Sequence, residues 1–182
     1  GRHQSDNAAV ALTAVEAFFG RQLDADVVRE GFAAVKVPGR FEVVGREPTV
    51  VLDGAHNLDG ATACAETLRD EFTLSGSVVM VVGFLEGRDP AEMLQALGAA
   101  DAAMVIACTP DSPRAIPAPV VAAVGDGLGL VAEAVPSVEE AVRRALAVAG
   151  PDDLVLVSGS FYVVGEARGF LARLDDPTQD HQ

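Results

Sequence analysis

The chain carries a single lysine, Lys36, one tyrosine, Tyr162, and no tryptophan, and only 5% of its residues are aromatic. Thirteen Lys and Arg stand against 27 Asp and Glu, a formal net charge of −14. That balance excludes a broad basic footprint for nucleic acid and resists nonspecific attraction to anionic membranes. It does not exclude a local anion site built from arginines and backbone N–H groups. There are two cysteines. Cys64 falls on the apolar face of a helical pattern and Cys108 ends an apolar run, so both read as reduced core residues. Neither has CxxC or Cys/His ligand spacing, and no metal site is expected. No apolar h-region follows the polar start, and the longest apolar runs are strand-length, short of a membrane span. A soluble, cytoplasmic protein without nucleic-acid or membrane partners is expected.

Two phosphate-binding signatures are missing as well. A P-loop needs Gly-x-x-x-x-Gly-Lys-Ser/Thr, and no Gly-Lys pair occurs anywhere in the chain. No GxGxxG follows a strand-like run, so a dinucleotide fingerprint is absent.

Against these absences, 49% of the 182 residues are hydrophobic, with Ala, Val and Gly dominant. Such a chain buries a full core and suits a sheet packed by small helices. Asp6 is expected to cap a helix running to Phe19, with Gly20 as its stop, and a second helix spans Asp24 to about Val35. Apolar runs at 49–52, 78–82, 103–107, 130–135 and 154–157 predict strands. Helical patterns near 60–72, 90–99, 117–125, 138–148 and 162–174 alternate with them. Asp89-Pro90 with Glu92, and Ser137 with Glu140, supply helix starts. The alternation predicts an α/β fold: a Rossmann-like, mostly parallel sheet with helices on both faces, preceded by two helices. The expected division is 1–36 for the helices, 37–174 for the α/β domain and 175–182 for a frayed tail.

The most informative stretch is Asp53-Gly54-Ala55-His56-Asn57, which leaves the carboxyl end of the run Thr49–Leu52. Ligands collect at that edge of open α/β sheets. By itself the pentapeptide reads equally well as an Asx-type turn with a surface histidine. Other groups stand in register with it: Pro38-Gly39-Arg40-Phe41-Glu42, Val82-Gly83-Phe84-Leu85-Glu86-Gly87-Arg88-Asp89, Ser112-Pro113-Arg114-Ala115 and Val157-Ser158-Gly159-Ser160-Phe161-Tyr162. Together with His3-Gln4-Ser5-Asp6-Asn7-Ala8-Ala9, they resemble the carboxy-terminal part of the folylpolyglutamate synthases of the Mur ligase superfamily. The resemblance extends to the bifunctional enzymes that also make dihydrofolate from dihydropteroate. It runs from about Gly1 to Leu174. One departure is Leu58, where the family usually has proline.

The resemblance implies an ATP-dependent ligase that activates a folate γ-carboxyl as an acyl phosphate and joins it to L-glutamate. ATP, Mg2+, L-glutamate and a folate or dihydropteroate are the implied ligands. The P-loop and the principal magnesium ligands belong to an amino-terminal ATPase part, so the chain is expected to be a piece of a monomeric ligase, inactive by itself. Asn7, Arg40 and Asp53 would serve ATP. His56, Ser160 and Tyr162 would form the glutamate pocket, with His56 binding the incoming amino acid in preference to deprotonating its amine. Arg88 and Arg114 are weaker anion candidates. Each has a simpler structural reading: Asn7 as a first-turn helix residue, Arg40 as a solvated hinge residue, Asp53 and Ser160 as helix caps, His56 as a surface residue. Two other functions remain in view: a Mur-type ligase acting on a cell-wall precursor, and a non-enzymatic module that binds a protein partner.

Overall fold

The computed structural model describes residues 2–72 and 75–175. Two helices come first, α1 (Arg2–Phe19) and α2 (Ala25–Ala34). The α/β unit follows as β1 (Glu42–Arg46), β2 (Thr49–Leu52), α3 (Leu58–Glu71), β3 (Val78–Val82), α4 (Pro90–Ala96), β4 (Met104–Cys108), α5 (Ala118–Gly127), β5 (Ala132–Val135), α6 (Val138–Val148), β6 (Leu154–Ser158) and α7 (Phe161–Asp175). A short 3-10 turn at Ala99–Asp101 leads into β4.

The six strands form one sheet in the order β1-β2-β6-β3-β4-β5. Every neighbouring pair is parallel except β1 and β2, which form an antiparallel hairpin at one edge. The expected mostly parallel α/β fold is therefore present. Its central strands β3 and β6 are buried at every position, as continuous β-branched and apolar runs covered on both faces should be. Side chains alternate across the sheet. Val51, Met80, Val82, Leu154 and Leu156 pack with α3, α4 and α5 through Ala61, Leu68, Met93 and Val121. Val50, Leu52, Val79, Val81, Val155 and Val157 pack with α6 and α7 through Val142, Ala145, Val163 and Phe170.

Local chemistry explains most element starts. Asp24 caps α2 by accepting from the Asp26 and Val27 N–H groups, and Asp89 caps α4 ahead of Pro90. Ser137 accepts from Glu140 N–H at the start of α6. Several expectations need correction. Helix α1 already runs from Arg2, which places Asp6 inside it and not at its cap. Helix α3 begins at Leu58 with Asn57 as its cap, so Gly60 is helical and the carboxylate of Asp53 is not the cap. Helix α4 stops at Ala96, because Gly98 adopts a left-handed conformation just beyond it. Strand β1 was not among the expected strands: its burial is partial and a bulge between Val43 and Gly45 breaks its alternation. Asp175 is the last residue of α7, and the rest of the expected tail, 176–182, lies outside the described residues.

At the amino-terminal edge of the sheet, Asp153 ties the start of β6 to the segment entering β3. One of its carboxylate oxygens accepts from Ser77 N–H and the other from Gly150 N–H, each at 2.7 Å. These backbone bonds hold its pKa below the ordinary carboxylate value of 3.8. A depressed folded-state pKa means that this contribution is present above about 3.8 and is lost as pH falls through the folded value. Asp153→Asn keeps one acceptor oxygen where two are used. Its melting temperature should fall below the parent's near neutral pH, and the gap should close in thermal melts taken at about pH 3 and lower.

Candidate active site

Register aligns the carboxyl ends of the three central strands. Leu52 lies beside Val157, and Val82 beside Ser158. The turns 53–57, 83–89 and 158–162 therefore open on one edge. From β2 the chain turns to α3 on one face, and from β6 to α7 on the other. Such a divergence between adjacent strands leaves a crevice at their carboxyl ends, the usual ligand position in open α/β sheets.

The floor of this crevice depends on one carboxylate. Asp53 is 8% exposed; its Oδ2 accepts from Phe41 N–H and its Oδ1 from Ala55 N–H, both at 2.9 Å. Gly54 N–H donates to Gly39 O at 2.7 Å, a second tie between the same two segments. Burial pushes the Asp53 pKa above its ordinary 3.8, against the opposing pull of the two N–H bonds, the Arg40 guanidinium and the Cys64 thiol. Phe41 has φ 46°, a left-handed conformation that costs a non-glycine residue about 1–2 kcal/mol. The bond to Asp53 and a ring contact with Phe72 at 5.8 Å between centroids hold it there. From the other side, Glu42 accepts from Gly39 N–H at 2.8 Å and pairs with Arg168 at 3.2 Å. Arg40 is thus carried by a loop fixed on both flanks.

Arg40 extends over the ring of Phe161, its guanidinium carbon 4.7 Å from the ring centroid. His56 meets the same ring at 5.3 Å between centroids. The His56 Nδ1 lies 3.0 Å from Gly54 O. With the proton on Nδ1 donated to that carbonyl, Nε2 keeps its lone pair for a ligand. Arg88 Nε donates to His56 O at 2.7 Å, so this arginine buttresses the turn. Arg114 similarly donates to Glu86 O at 3.0 Å.

Ser160 is buried and its Oγ accepts from Val163 N–H at 3.3 Å, so its hydroxyl caps α7. Tyr162 is exposed on the first turn of that helix. Just before Ser160, Gly159 has φ 105°, and a Cβ there would lie 2.7 Å from Gly83 O; only glycine fits this crossing of β6 past β3. Asn7 is exposed on α1, and Gln4, one turn earlier, lines a cavity of about 40 Å³ together with Arg40, Phe41, Asp53 and Cys64. The structure therefore brings Arg40, Asp53 and His56 together, with Ser160 and Tyr162 on the adjacent helix start. The residue that sequence reasoning passed over is Phe161. A phenylalanine opening a helix resembles any core aromatic, and only the packing of Arg40, Gly54 and His56 around it reveals its place.

Among the described residues, no group of three or more His, Cys, Asp or Glu is arranged to hold a metal ion, and no helix is long and apolar enough to cross a membrane. Burial, the Asp53 charge and a hydrogen bond to Asp53 push the Cys64 thiol pKa far up, and burial followed by the Glu166 charge pushes that of Cys108 up to about 12.

This geometry accords with what the chain is similar to. The family model described as Mur ligase, glutamate ligase domain matches residues 39–161, and the chain belongs to this family. A probable bifunctional folylpolyglutamate synthase/dihydropteroate synthase of Halobacterium salinarum is 43% identical over 169 residues, 92% of this chain and 20% of that protein. The structure of Mycobacterium tuberculosis folylpolyglutamate synthase complexed with ADP and AMPPCP has 37% identity and a TM-score of 0.84 over 95% of this chain and 41% of that one. A bifunctional folylpolyglutamate synthase/dihydrofolate synthase solved with Mn, AMPPNP and L-glutamate bound has 30% identity and a TM-score of 0.76, over 88% of this chain and 38% of that one. The chain thus spans from 20% to 41% of the length of these relatives.

The Asp53 environment sets a pH dependence. Folding raises its pKa, so its contribution to stability is full below about 3.8 and is lost as pH rises through the folded value. Carboxyl carbon NMR titration should place Asp53 above 3.8, and Arg40→Ala should move it further up by removing a favourable charge. Both thiols should resist an aromatic disulfide reagent in the native chain and react on unfolding.

Proposed function

We propose that this chain is the glutamate ligase domain of an ATP-dependent ligase that adds L-glutamate to the γ-carboxyl of a folate. The carrying observation is that Asp53, Arg40 and His56 meet at one strand edge, within a chain of the Mur ligase family. Relatives solved with nucleotide and with L-glutamate bound support these two ligand classes.

In this reading Asp53 accepts from a nucleotide ribose hydroxyl and Arg40 offers its planar fork to phosphate oxygens. Asn7 approaches the base from α1. His56, through Nε2, binds the glutamate, and the start of α7 at Ser160 and Tyr162 completes the pocket with backbone N–H groups suited to a carboxylate. In such a ligase the folate γ-carboxylate would attack the γ-phosphorus of ATP and release ADP, and the glutamate amine would then displace inorganic phosphate from the acyl phosphate. The P-loop and magnesium ligands for this would belong to a part of the ATPase domain outside these residues. Residues 1–36 are the last helices of that domain. Their apolar surface supports this: Phe18 is 84% exposed, and a groove of about 330 Å³ between α1 and α2 is lined by residues including Leu12, Val15, Val27 and Phe32. The role left to residues 37–174 is to position nucleotide and amino acid and to exclude water from the activated acid. A monomeric, cytoplasmic ligase completes the reading.

The purified chain by itself should release no phosphate from ATP, whereas the full-length ligase should form a glutamyl amide on folate. Turnover of a UDP-sugar acceptor without folate turnover would overturn the substrate assignment. Within the full-length ligase, Asp53→Ala and Arg40→Ala should raise the Michaelis constant for ATP, and His56→Ala that for glutamate. A lost charge-assisted hydrogen bond is worth about 1.5–3 kcal/mol, which predicts effects of about ten- to a hundredfold. Ser160→Ala should impair glutamate use and also lower stability by about 1 kcal/mol through loss of the α7 cap. Equal damage to both substrates from all four changes, with folding intact, would remove the division of labour.

A further inference from the structure

The half-exposed ring at the start of α7 has no core to serve. Phe161 is 46% exposed and lies outside both hydrophobic clusters of the sheet. Two other segments meet it: Arg40 comes from the loop before β1, and Gly54 and His56 from the turn after β2. Any side chain at Gly54 would collide with the ring, so the turn closes directly onto the aromatic surface. The ring itself is anchored by the buried cap of Ser160 one residue before it.

We propose that Phe161 is a positioning residue that couples the nucleotide and glutamate halves of the site, holding Arg40 and His56 against one aromatic surface. The proposal rests on the ligase reading above and extends it to a residue which that reading leaves without a role. An aromatic ring is suited to this task because it attracts a guanidinium through its π-electrons without using an N–H donor. Arg40 keeps its donors for an anion, and His56 keeps Nε2 for a second ligand. A hydrogen-bonding partner at the same place would hold the arginine at the expense of its ligand. Because Arg40 and His56 contact one ring, a shift of either is felt at the other.

Phe161→Leu retains apolar bulk and removes the π-surface; Phe161→Tyr retains both. In the full-length ligase, Phe161→Leu should raise the Michaelis constants for ATP and for glutamate together, each about two- to fivefold, with a smaller change in kcat. Phe161→Tyr should restore both. In an Arg40→Ala background, Phe161→Leu should add nothing to the ATP constant, because the group through which it acts is gone. A Phe161→Leu ligase with unchanged constants overturns the proposal, and so does the same factor appearing in the Arg40→Ala background. A second measurement needs no turnover. In the 182-residue chain, the His56 imidazole proton resonances should lose a ring-current displacement in Phe161→Leu and keep it in Phe161→Tyr. Resonances unchanged by Phe161→Leu overturn the coupling. A parent ligase that fails to join glutamate to folate overturns the ligase reading instead, and the imidazole comparison still decides whether the ring holds His56.

Discussion

The site depends on one buried carboxylate bonded to two backbone N–H groups. Asp53 joins the loop before β1 to the turn after β2, using one oxygen for each. Phe41 remains in its left-handed conformation under that constraint, and Arg40 is aimed by the residue beside it. A carboxylate in this position is costly to bury, as its raised pKa records, and the two backbone N–H bonds that tie the segments together offset part of that cost. In a chain with net charge −14, the negative charge beside Arg40 is withdrawn from solvent, while the cation stays near the surface.

Much of the framework was legible because it is built from strong local signals. The continuous apolar runs became buried parallel strands, and Asp89 and Ser137 became caps at the positions that their spacing implied. The placement of 53–57 and 158–162 on one edge followed from each leaving the end of a buried strand, and the pairing of β2 with β6 produces it. What failed was weak in local signal or decided at a distance. Strand β1 has a mixed burial pattern and a bulge, so alternation could not reveal it. Asp6 offered a cap, yet α1 continues through it from Arg2.

The site residues divide in the same way. Asp53 and His56 were conspicuous because a charged and an imidazole side chain at a strand end need a reason. Arg40 and Asn7 were named only through family resemblance, since a hinge arginine and a helical asparagine have ordinary explanations. Ser160 illustrates two roles in one position: its hydroxyl caps α7, and that cap sets where the first turn of the helix begins. Phe161 entered the sequence reading only as a member of a motif and received no role there, because its neighbours lie more than a hundred residues away in the chain.

The strand that sits at the middle of the sheet is the last to leave the ribosome. β2 and β3 are not neighbours; each is paired to β6, which begins at Leu154. Until that segment has been synthesised, neither β2 nor β3 has the neighbour it pairs with on that side, and both edges stay unpaired. Completing the sheet therefore requires long-range pairings to β6 on both of its sides, the kind of contact that slows folding and leaves unpaired strand edges open to other chains. The crevice that would receive the ligands is completed in the same event, since its floor belongs to β2 and its wall to the turn after β6.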